Sequence, residues 1–469
     1  MLPLSWIRRY RIRTYLANAT WVMPVSALVI ALALVRTTVR IDEIFQWRSS
    51  FDAASVQAML VALASALLTF IVFVCSSLLV AVQLASAQLT PRIIGLVFRD
   101  FGTRFSLAVF CFTFAYCLGL AVRLVDWVPF VSVQIAAFSC IFSVAIFFYL
   151  IDHLGRSLRP VGALARVARI GEQVISQVYP RRLSDAWTAQ TPERDSAAVQ
   201  QELDRLVDRA SAVVVTGSRD GTIMAFDTKG LVALAVRHDC VIELANQAGD
   251  FVSCDEALFR IYGAKTPPAI EELRGMIAIG RERTYEQDPS YAFRIIVDMA
   301  SKALSPAIND PTTAVLAMDQ IHRLLRSVGV RRLDEGVTRD ATGRIRFVYW
   351  TRDWADFVSL AVTEIRHFGS DSIQVMRRLR ALLDDLIAAL PTARTELLRK
   401  ELASLSRSLD RKFADPEDRA LADEGDLQGV GGNRAPRRSG GAGAPAVPAD
   451  RTAAPQEQGI RAGQPAESQ

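Results

Sequence analysis

The sequence contains few of the residues on which common enzyme mechanisms depend. It has four His and six Cys in 469 residues, and no two Cys are spaced as CxxC. Cys240 and Cys254, with His238 nearby, lack the spacing of a zinc site, so we expect reduced thiols and no bound metal. The GxSxG, HExxH and Walker A motifs are absent as well. These absences disfavour the enzyme classes that depend on those motifs, and the sequence predicts no cofactor.

Lysine is scarce, although the chain is basic. The net charge is +5, and only five of the 54 basic residues are Lys. The Arg residues that supply the rest are spread along the chain and do not cluster with aromatic residues into a basic tract. The sequence therefore predicts no nucleic-acid partner.

Apolar residues are abundant and unevenly distributed. They make up 51% of the chain, and the surplus lies before residue 152. Apolar runs cover residues 19–35, 56–82, 105–125 and 128–151, each about long enough to cross a hydrocarbon core as a helix. We expect four transmembrane helices in residues 1–152, the first being a retained signal-anchor despite its Pro24. No run contains a centrally placed charged residue, which disfavours a proton-relay transporter.

The distribution of Arg near the span ends predicts the orientation. Eleven Arg lie on one side of the predicted spans, namely Arg8, Arg9, Arg11, Arg13, Arg92, Arg99, Arg104, Arg156, Arg159, Arg166 and Arg169. Four lie on the other side, namely Arg36, Arg40, Arg48 and Arg123. Because positive charge stays inside, we expect a multi-pass protein of the bacterial inner membrane with both termini in the cytoplasm.

The second apolar run carries a stripe of polar and small side chains. At 100° per residue, Ser65, Thr69, Ser76 and Gln83 lie on one helix face, which Ala58 and Ala62 continue. Such a stripe favours close packing between helices, within the chain or in a homo-oligomer, and a water-filled path is the alternative.

The rest of the chain is expected to form an α+β region in the cytoplasm. Residues 153–205 are predicted to form a linker and a membrane-proximal helix that continues the fourth span as a membrane-surface helix or a neck, and residues 206–265 a small β-rich domain. Its Gly-Asp-Phe-Val turn is similar to half of a biotinyl or lipoyl-type barrel-sandwich, although Asp227 favours a helix N-cap over acylation of Lys229. The sequence predicts a helical bundle in residues 266–412 and a disordered tail in residues 413–469.

The segment of residues 280–325 contains the polar residues that are hardest to explain as ordinary solvent-exposed surface residues. Asp288-Pro289 and Asp310-Pro311 each place an Asp at a helix N-cap and a Pro at the first helical position. The candidate ligand or interdomain site comprises Arg283, Thr284, Gln287, Asp288, Ser305, Asn309 and Asp310. Helix capping and domain docking are one explanation of these residues. An acid and anion-binding site that includes Arg281 is the other.

Several of these segments carry a family resemblance. Arg283-Thr284, Gln287-Asp288 and the Ser-Pro-Ala-Ile-Asn-Asp-Pro segment at 305–311 follow four spans and the Gln-Leu-Thr-Pro-Arg loop at 88–92. This combination resembles a bacterial family of predicted inner-membrane proteins known as domain of unknown function twenty-two fifty-four. The resemblance covers about residues 10–410 and implies topology but little chemistry. Thr90 stands where similar proteins tend to have Ser, and it keeps the hydroxyl.

Three classes of function are consistent with these patterns. We favour a transport, channel or gating module whose cytoplasmic domain senses a ligand. A membrane-tethered scaffold or assembly protein is the alternative, and a membrane-anchored enzyme is disfavoured by the missing motifs. The expected partners are the lipid bilayer, a second copy of the chain and a small anionic ligand.

Overall fold

The computed structural model describes residues 5–88, 90–93, 100–124, 127–157, 159–183, 201, 213–333 and 336–428. All of them belong to one compact unit. The greater part of the predicted linker before residue 205, and the predicted tail after residue 428, lie outside the described residues.

The N-terminal half contains four helices that are long and apolar enough to cross a bilayer, as the sequence predicted. A short helix α1 (Trp6–Asn18) precedes them. The four are α2 (Val22–Phe45), α3 (Ala53–Gln88), α4 (Phe101–Ala121) and α5 (Phe130–Ser157). Two-residue strands β1 (Arg48–Ser49) and β2 (Val128–Pro129) pair antiparallel between the helices, and a 3-10 turn (Pro91–Ile93) follows α3.

Helix α4 lies at the centre of this half. Most of its side chains are buried, whereas the other three helices expose most of theirs. Polar contacts join it to its neighbours: the hydroxyls of Thr38 and Tyr116 lie 3.0 Å apart, and those of Thr113 and Ser143 lie 2.9 Å apart. Hydrogen bonds of this kind between membrane helices stabilise packing by about 1 kcal/mol each. They orient α2 and α5 on α4.

A buried carboxylate fixes the far ends of α2 and α5. Asp42 is fully buried and accepts hydrogen bonds from Val131 N at 3.1 Å, Ser132 N at 3.0 Å and Ser132 Oγ at 2.8 Å. It therefore caps the N-terminus of α5, where the helix dipole favours negative charge. Sequence reasoning missed this role, because the apolar run ends at residue 35 although α2 continues to Phe45.

The C-terminal region alternates strands and helices. It begins with α6 (Pro160–Val178), β3 (Val213–Thr216), β4 (Gly221–Phe226), α7 (Thr228–Arg237), β5 (Val241–Leu244), β6 (Phe251–Val252), β7 (Ala257–Tyr262), α8 (Ile270–Arg274) and β8 (Ile277–Gly280). It continues with α9 (Pro289–Ala303), α10 (Pro311–Gly329), β9 (Val337–Arg339), β10 (Ile345–Tyr349), α11 (Trp354–Phe368), α12 (Ile373–Ala389), α13 (Thr392–Lys412) and α14 (Pro416–Asp423).

The strands form two open sheets. One has the order β3-β7-β5-β10-β9 and is antiparallel except for the β5–β10 pair, and the other is antiparallel with the order β6-β4-β8. Neither closes into a barrel within the described residues, so the barrel-sandwich interpretation is not supported. The physical reason is that β5 pairs with β10, a strand that follows it after three further helices. The sheet therefore draws strands from both sides of the predicted boundary at residue 265. Asp227 does cap α7, since Gly230 N donates to its carboxylate at 3.1 Å.

Helix α6 buries its apolar face in the helical core. Its side chains Leu164, Val167 and Ile175 are buried in one apolar cluster with helices α9 to α13. A Cβ at Gly171 would lie 2.7 Å from the Cβ of Ala292 in α9. Leu78 and Val82 of α3 belong to the same cluster. One continuous core thus joins the second span to the helical bundle.

Asp100 makes a second connection between the two halves. Its carboxylate accepts from Thr103 N at 3.3 Å and so caps α4. It also pairs with Arg166 of α6 at 3.0 Å and with His153 of α5. One carboxylate therefore joins two of the apolar helices to α6.

The predicted tail begins later than residue 413. Asp415 caps α14 by accepting from Glu417 N at 2.7 Å, and Ala422 is fully buried. Arg377 of α12, which is almost fully buried, pairs with Glu424 at 3.4 Å. Asp415-Pro416 repeats the Asp-Pro pattern that opens α9 and α10, so the same signal was available in the sequence.

Candidate functional site

The seven candidate residues lie at the two ends of helix α9. Arg283, Thr284, Gln287 and Asp288 precede its first residue, and Ser305, Asn309 and Asp310 follow its last. The helix has 15 residues. At 1.5 Å per residue the two groups are about 22 Å apart. They are therefore two separate clusters, and each has its own chemistry.

At the first end, Arg283 and Asp288 form a largely buried ion pair. Asp288 is 3% exposed, and Arg283 Nε donates to its Oδ2 at 2.9 Å. Ser290 Oγ donates to the other carboxylate oxygen at 2.6 Å and accepts from Arg283 Nη2 at 3.0 Å. Asp288 occupies the N-cap position of α9, but its side chain makes no capping bond. The predicted capping role is wrong for this residue, because Arg283 and Ser290 occupy its oxygens.

Thr284 and Gln287 dock this segment onto a β-sheet. The Gln287 amide pairs with the backbone of Phe226 in β4, accepting from its N–H at 2.9 Å and donating to its carbonyl at 3.0 Å. Thr284 Oγ1 donates to the carbonyl of Met224 at 3.4 Å. Two backbone groups of one strand are thus satisfied by one side chain. These two residues hold the sheet against the start of α9.

Arg283 also lines an open cleft of about 610 Å³ between this segment and the sheet. Arg260 of β7 and Arg352, which precedes α11, line it too. The remaining lining residues are Ala245, Asn246, Gly249, Asp250, Phe251, Glu256 and Ala257. Arg352 pairs with Asp250 at 3.4 Å, and Arg260 pairs with Glu243 at 3.4 Å. Sequence reasoning found only one of the three Arg, because nothing local marks the other two.

The cleft wall is built tightly against the buried ion pair. Gly249 has φ +93°, a conformation that glycine adopts at little cost. A Cβ at this position would lie 2.2 Å from Asp288 Oδ2 and 3.0 Å from Arg283 Nη2. The turn that carries Gly249 therefore approaches the Arg283–Asp288 pair as closely as a glycine permits.

The second end of α9 is a tight turn into α10. Asp310 caps α10 by accepting from Thr313 N at 3.0 Å, as predicted. The backbone N–H of Asn309 donates to Ser305 O at 2.8 Å, and that of Asp310 donates to Ala303 O at 2.7 Å. Asn309 has φ +46° and an exposed side chain. Left-handed backbone of this kind suits Asn better than most residues.

We expect Asp310→Ala to cost about 0.5–2 kcal/mol and Asp310→Ser to restore most of that loss, because a hydroxyl can also cap. Asn309→Ala should cost about 1 kcal/mol from the left-handed backbone, and Asn309→Gly should not. Denaturant midpoints of the purified full-length variants in mild detergent provide the test. If Asn309→Ala keeps full stability while both Asn309 variants lose activity or ligand binding, the turn is a functional site and not only a connection between α9 and α10.

The polar face of α9 contacts the end of the second span. Arg294, Asp298 and Lys302 form a ladder at i, i+4 spacing on this face, and Arg294 pairs with Asp298 at 2.7 Å. Asp298 also pairs with Arg92 in the turn after α3. Lys302 Nζ donates to the carbonyl of Ser86 in α3 at 2.9 Å. The ladder is therefore a contact between α9 and the segment that leaves the membrane.

The polar stripe of α3 faces outward. Ser65, Thr69, Ser76 and Gln83 are all exposed, and Thr69 Oγ1 donates to the carbonyl of Ser65 at 3.1 Å. Helix α4 packs against a different face of α3, whose buried residues include Leu60 and Ala64. The stripe is thus uncovered in the described part of the chain.

The thiols and the acidic residues show no metal-binding arrangement. Among the described residues, no group of three or more His, Cys, Asp and Glu side chains is placed to hold a metal ion. Burial raises the pKa of the Cys240 thiol to about 11, so at neutral pH it is not a reactive thiolate. The expected lack of a metal stays a prediction.

Comparison with known proteins assigns the chain to a family. It is 27% identical over 435 residues to uncharacterised proteins of Mycobacterium tuberculosis (strain H37Rv) and Mycobacterium bovis. Each match covers 88% of this chain and 80% of the relative. No solved structure matches the chain. The model of a family described as predicted membrane protein, domain of unknown function 2254, matches residues 17–385, and the chain belongs to that family.

Proposed function

We propose that this membrane protein is a gating module, in which a small anion binds the arginine-lined cleft and helix α9 transmits binding to the second span. The observation that carries the proposal is the double attachment of α9. Its first residues adjoin the Arg283–Asp288 pair at the cleft, and its polar face holds Arg92 and Ser86 at the end of α3.

The charges around the cleft favour an anionic ligand. Arg260 and Arg352 are partly exposed, and the ion pairs they make are long, at 3.4 Å each. Exposed ion pairs of this kind contribute about 0–1 kcal/mol, so a ligand phosphate or carboxylate can replace their present partners at low cost. A buried carboxylate orients the guanidinium of Arg283, so a ligand that contacts Arg283 also acts on Asp288. Oxyanions are the ligands that such groups bind best.

Transmission requires that the ligand bind two states of the protein with different affinity. Helix α9 is a rigid element of 15 residues, and the apolar cluster around it includes Leu78 and Val82 of α3. A shift of Arg283 toward a bound anion would move Asp288 and the start of α9 with it. The contacts at Asp298 and Lys302 would then pass the displacement to α3.

The test is binding of inorganic phosphate and pyrophosphate to the purified full-length protein, measured by isothermal titration calorimetry. Loss of one charge-assisted hydrogen bond costs about 1.5–3 kcal/mol, so Arg352→Gln should weaken binding about 10- to 100-fold. Arg399→Gln removes an exposed Arg far along the chain in α13 and should leave binding unchanged. Wild-type protein that binds neither probe, or equal binding by Arg352→Gln, would end the anion proposal.

We place both termini in the cytoplasm of a bacterial inner membrane, on the basis of the Arg asymmetry. The contact between α1 and β8 supports a common side for the N-terminus and the C-terminal region, as an even number of spans requires. A reporter that is active only outside the cytoplasm should be active when fused after Gln46 and silent when fused after Pro192. The reverse pattern would contradict this orientation.

A second candidate function is an assembly scaffold or oligomeric pore that forms through α3. The observation that favours it is the outward-facing stripe with Ser65, Thr69, Ser76 and Gln83, since lipid chains cannot hydrogen-bond these groups and a second copy can. The mass of the protein in detergent should then exceed one chain, and replacing Ser65 and Thr69 by Leu should reduce it. A monomer before and after the substitutions would remove this candidate.

A further inference from the structure

Helix α1 has the composition of a helix that lies on a membrane surface. Its 13 residues, WIRRYRIRTYLAN, include four Arg and no acidic residue. Its last residue, Asn18, is followed after three residues by α2, the first of the apolar spans. This short connection holds α1 at the level where the span leaves the bilayer.

The outward face of α1 carries both exposed apolar and exposed basic side chains. Ile12, Tyr15 and Leu16 are 50%, 59% and 50% exposed and adjoin one another on the helix. At 100° per residue, Arg11 borders this stripe on one side and Arg9 and Arg13 border it on the other, whereas Arg8 lies within it, one turn before Ile12. All four Arg are exposed, and no ion pair joins them to another described residue.

The inward face of α1 rests on the C-terminal region. Thr14 Oγ1 donates to Glu286 Oε1 at 3.4 Å, and α1 contacts strand β8. Arg219, in the turn before β4, extends the basic surface. Burial lowers the pKa of Arg219, and the nearby charge of Arg11 lowers it further. Arg11 and Arg219 thus lie close enough for their charges to interact, and α1 itself contains no acidic residue.

We infer that α1 is a binding site for anionic phospholipid headgroups, with its apolar stripe inserted among the acyl chains and its four Arg on the phosphates. A cluster of four Arg beside a membrane span is an arrangement that binds anionic lipid headgroups, because each basic residue near an anionic surface adds to the attraction. The covalent link to α2 selects the lipid surface over a soluble anion or an acidic protein. This inference goes beyond the gating proposal and does not depend on it.

The lipid site also adjoins the start of α9. Glu286, which Thr14 contacts, lies two residues before Asp288. Lipid that fixes α1 therefore restrains the segment that carries Arg283. This contact gives anionic lipid a route to influence the cleft.

The experiment compares phosphatidylglycerol with phosphatidylcholine of identical chains, each titrated onto delipidated full-length protein and counted by native mass spectrometry. Wild-type protein should bind phosphatidylglycerol at least about tenfold more tightly. Replacing Arg8, Arg9, Arg11 and Arg13 by Gln should abolish at least nine-tenths of that preference, whereas replacing all four by Lys should keep it. Millimolar inorganic phosphate should not compete, because a soluble anion lacks the acyl chains.

The matched control replaces Arg237, Arg344, Arg399 and Arg407 by Gln, which removes the same charge from exposed positions of the C-terminal region. It should keep the wild-type preference. If the four-fold Gln variant of α1 does not fold, Arg8→Gln with Arg13→Gln should still lose part of the preference. Equal binding of the two lipids, an unchanged preference in the α1 variants, or an equal loss in the control would overturn the inference.

Discussion

Replacing Gly171 by Ala should destabilise the protein by about 2–3 kcal/mol, although alanine is the better helix former. The added Cβ would lie 2.7 Å from the Cβ of Ala292 and 3.1 Å from Leu324 Cδ2. A methyl group on a neighbouring helix cannot rotate away, so α6 must separate from α9 and α10. The denaturant midpoint of the full-length protein in mild detergent measures the loss.

Gly155 provides the matched control for this substitution. It is also a helical glycine, near the end of α5, and nothing lies within 4 Å of the Cβ it would gain. Gly155→Ala should therefore stabilise the protein by about 0.5–1 kcal/mol through helix propensity alone. If the two substitutions changed stability in the same direction, α6 would not be packed in the core as described.

Gly249→Ala should cost about 3 kcal/mol and also weaken anion binding. Part of the cost comes from φ +93°, which an alanine adopts only with strain. The larger part comes from contact with Asp288, whose Oδ2 would lie 2.2 Å from the new Cβ. Asp288 must then shift and take Arg283 with it. Phosphate titration of the variant, beside its denaturant midpoint, measures both effects.

Gly263→Ala distinguishes the cost of backbone strain from the cost of the steric contact with Asp288. Gly263 has φ +76°, and nothing lies within 4 Å of the Cβ it would gain. Its replacement should cost about 1–2 kcal/mol and leave phosphate binding unchanged. Equal losses of stability at both glycines, with binding intact in both variants, would show that the wall of the cleft does not depend on the close approach of Gly249.

The features that the sequence predicted correctly are those set by short-range chemistry. Four apolar runs give four helices long enough to span a bilayer. Asp227 and Asp310 cap the helices they precede, because a carboxylate three residues before a free N–H can reach it through local geometry alone. Asp288 shows the limit of that logic. Asp288 also directly precedes a Pro, yet its carboxylate accepts from the Arg283 side chain and not from a backbone N–H of the helix.

The features that the sequence did not predict depend on long-range contacts. Arg260 and Arg352 reach one cleft from segments 92 residues apart, and no local pattern marks either residue. The barrel-sandwich interpretation failed because β5 finds its parallel partner in β10, about a hundred residues later. Helix α6 has the basic, amphipathic look of a surface helix, but its apolar face is buried by α9 and α10. Periodicity alone does not distinguish lipid from protein as the partner of that face.

Helix α9 connects the cleft to helix α3. Its first end is fixed by a buried ion pair beside the cleft, its polar face by Arg92 and Ser86, and its apolar face by the core shared with α3. Helix α9 transmits a displacement from the cleft to α3 only if these contacts stay intact. Removal of the contacts at Asp298 and Lys302 should therefore weaken the coupling between the cleft and α3.

The most direct test of this coupling is hydrogen–deuterium exchange of the full-length protein in lipid nanodiscs, with and without pyrophosphate. The account predicts that pyrophosphate changes exchange at residues 281–303 and also at residues 78–88 of α3. In a variant with Asp298→Asn and Lys302→Gln, the change near Arg283 should persist and the change in α3 should diminish, because only the apolar contacts with Leu78 and Val82 remain. A change confined to the cleft in the wild-type protein, or one that reaches α3 undiminished in the variant, would contradict the account.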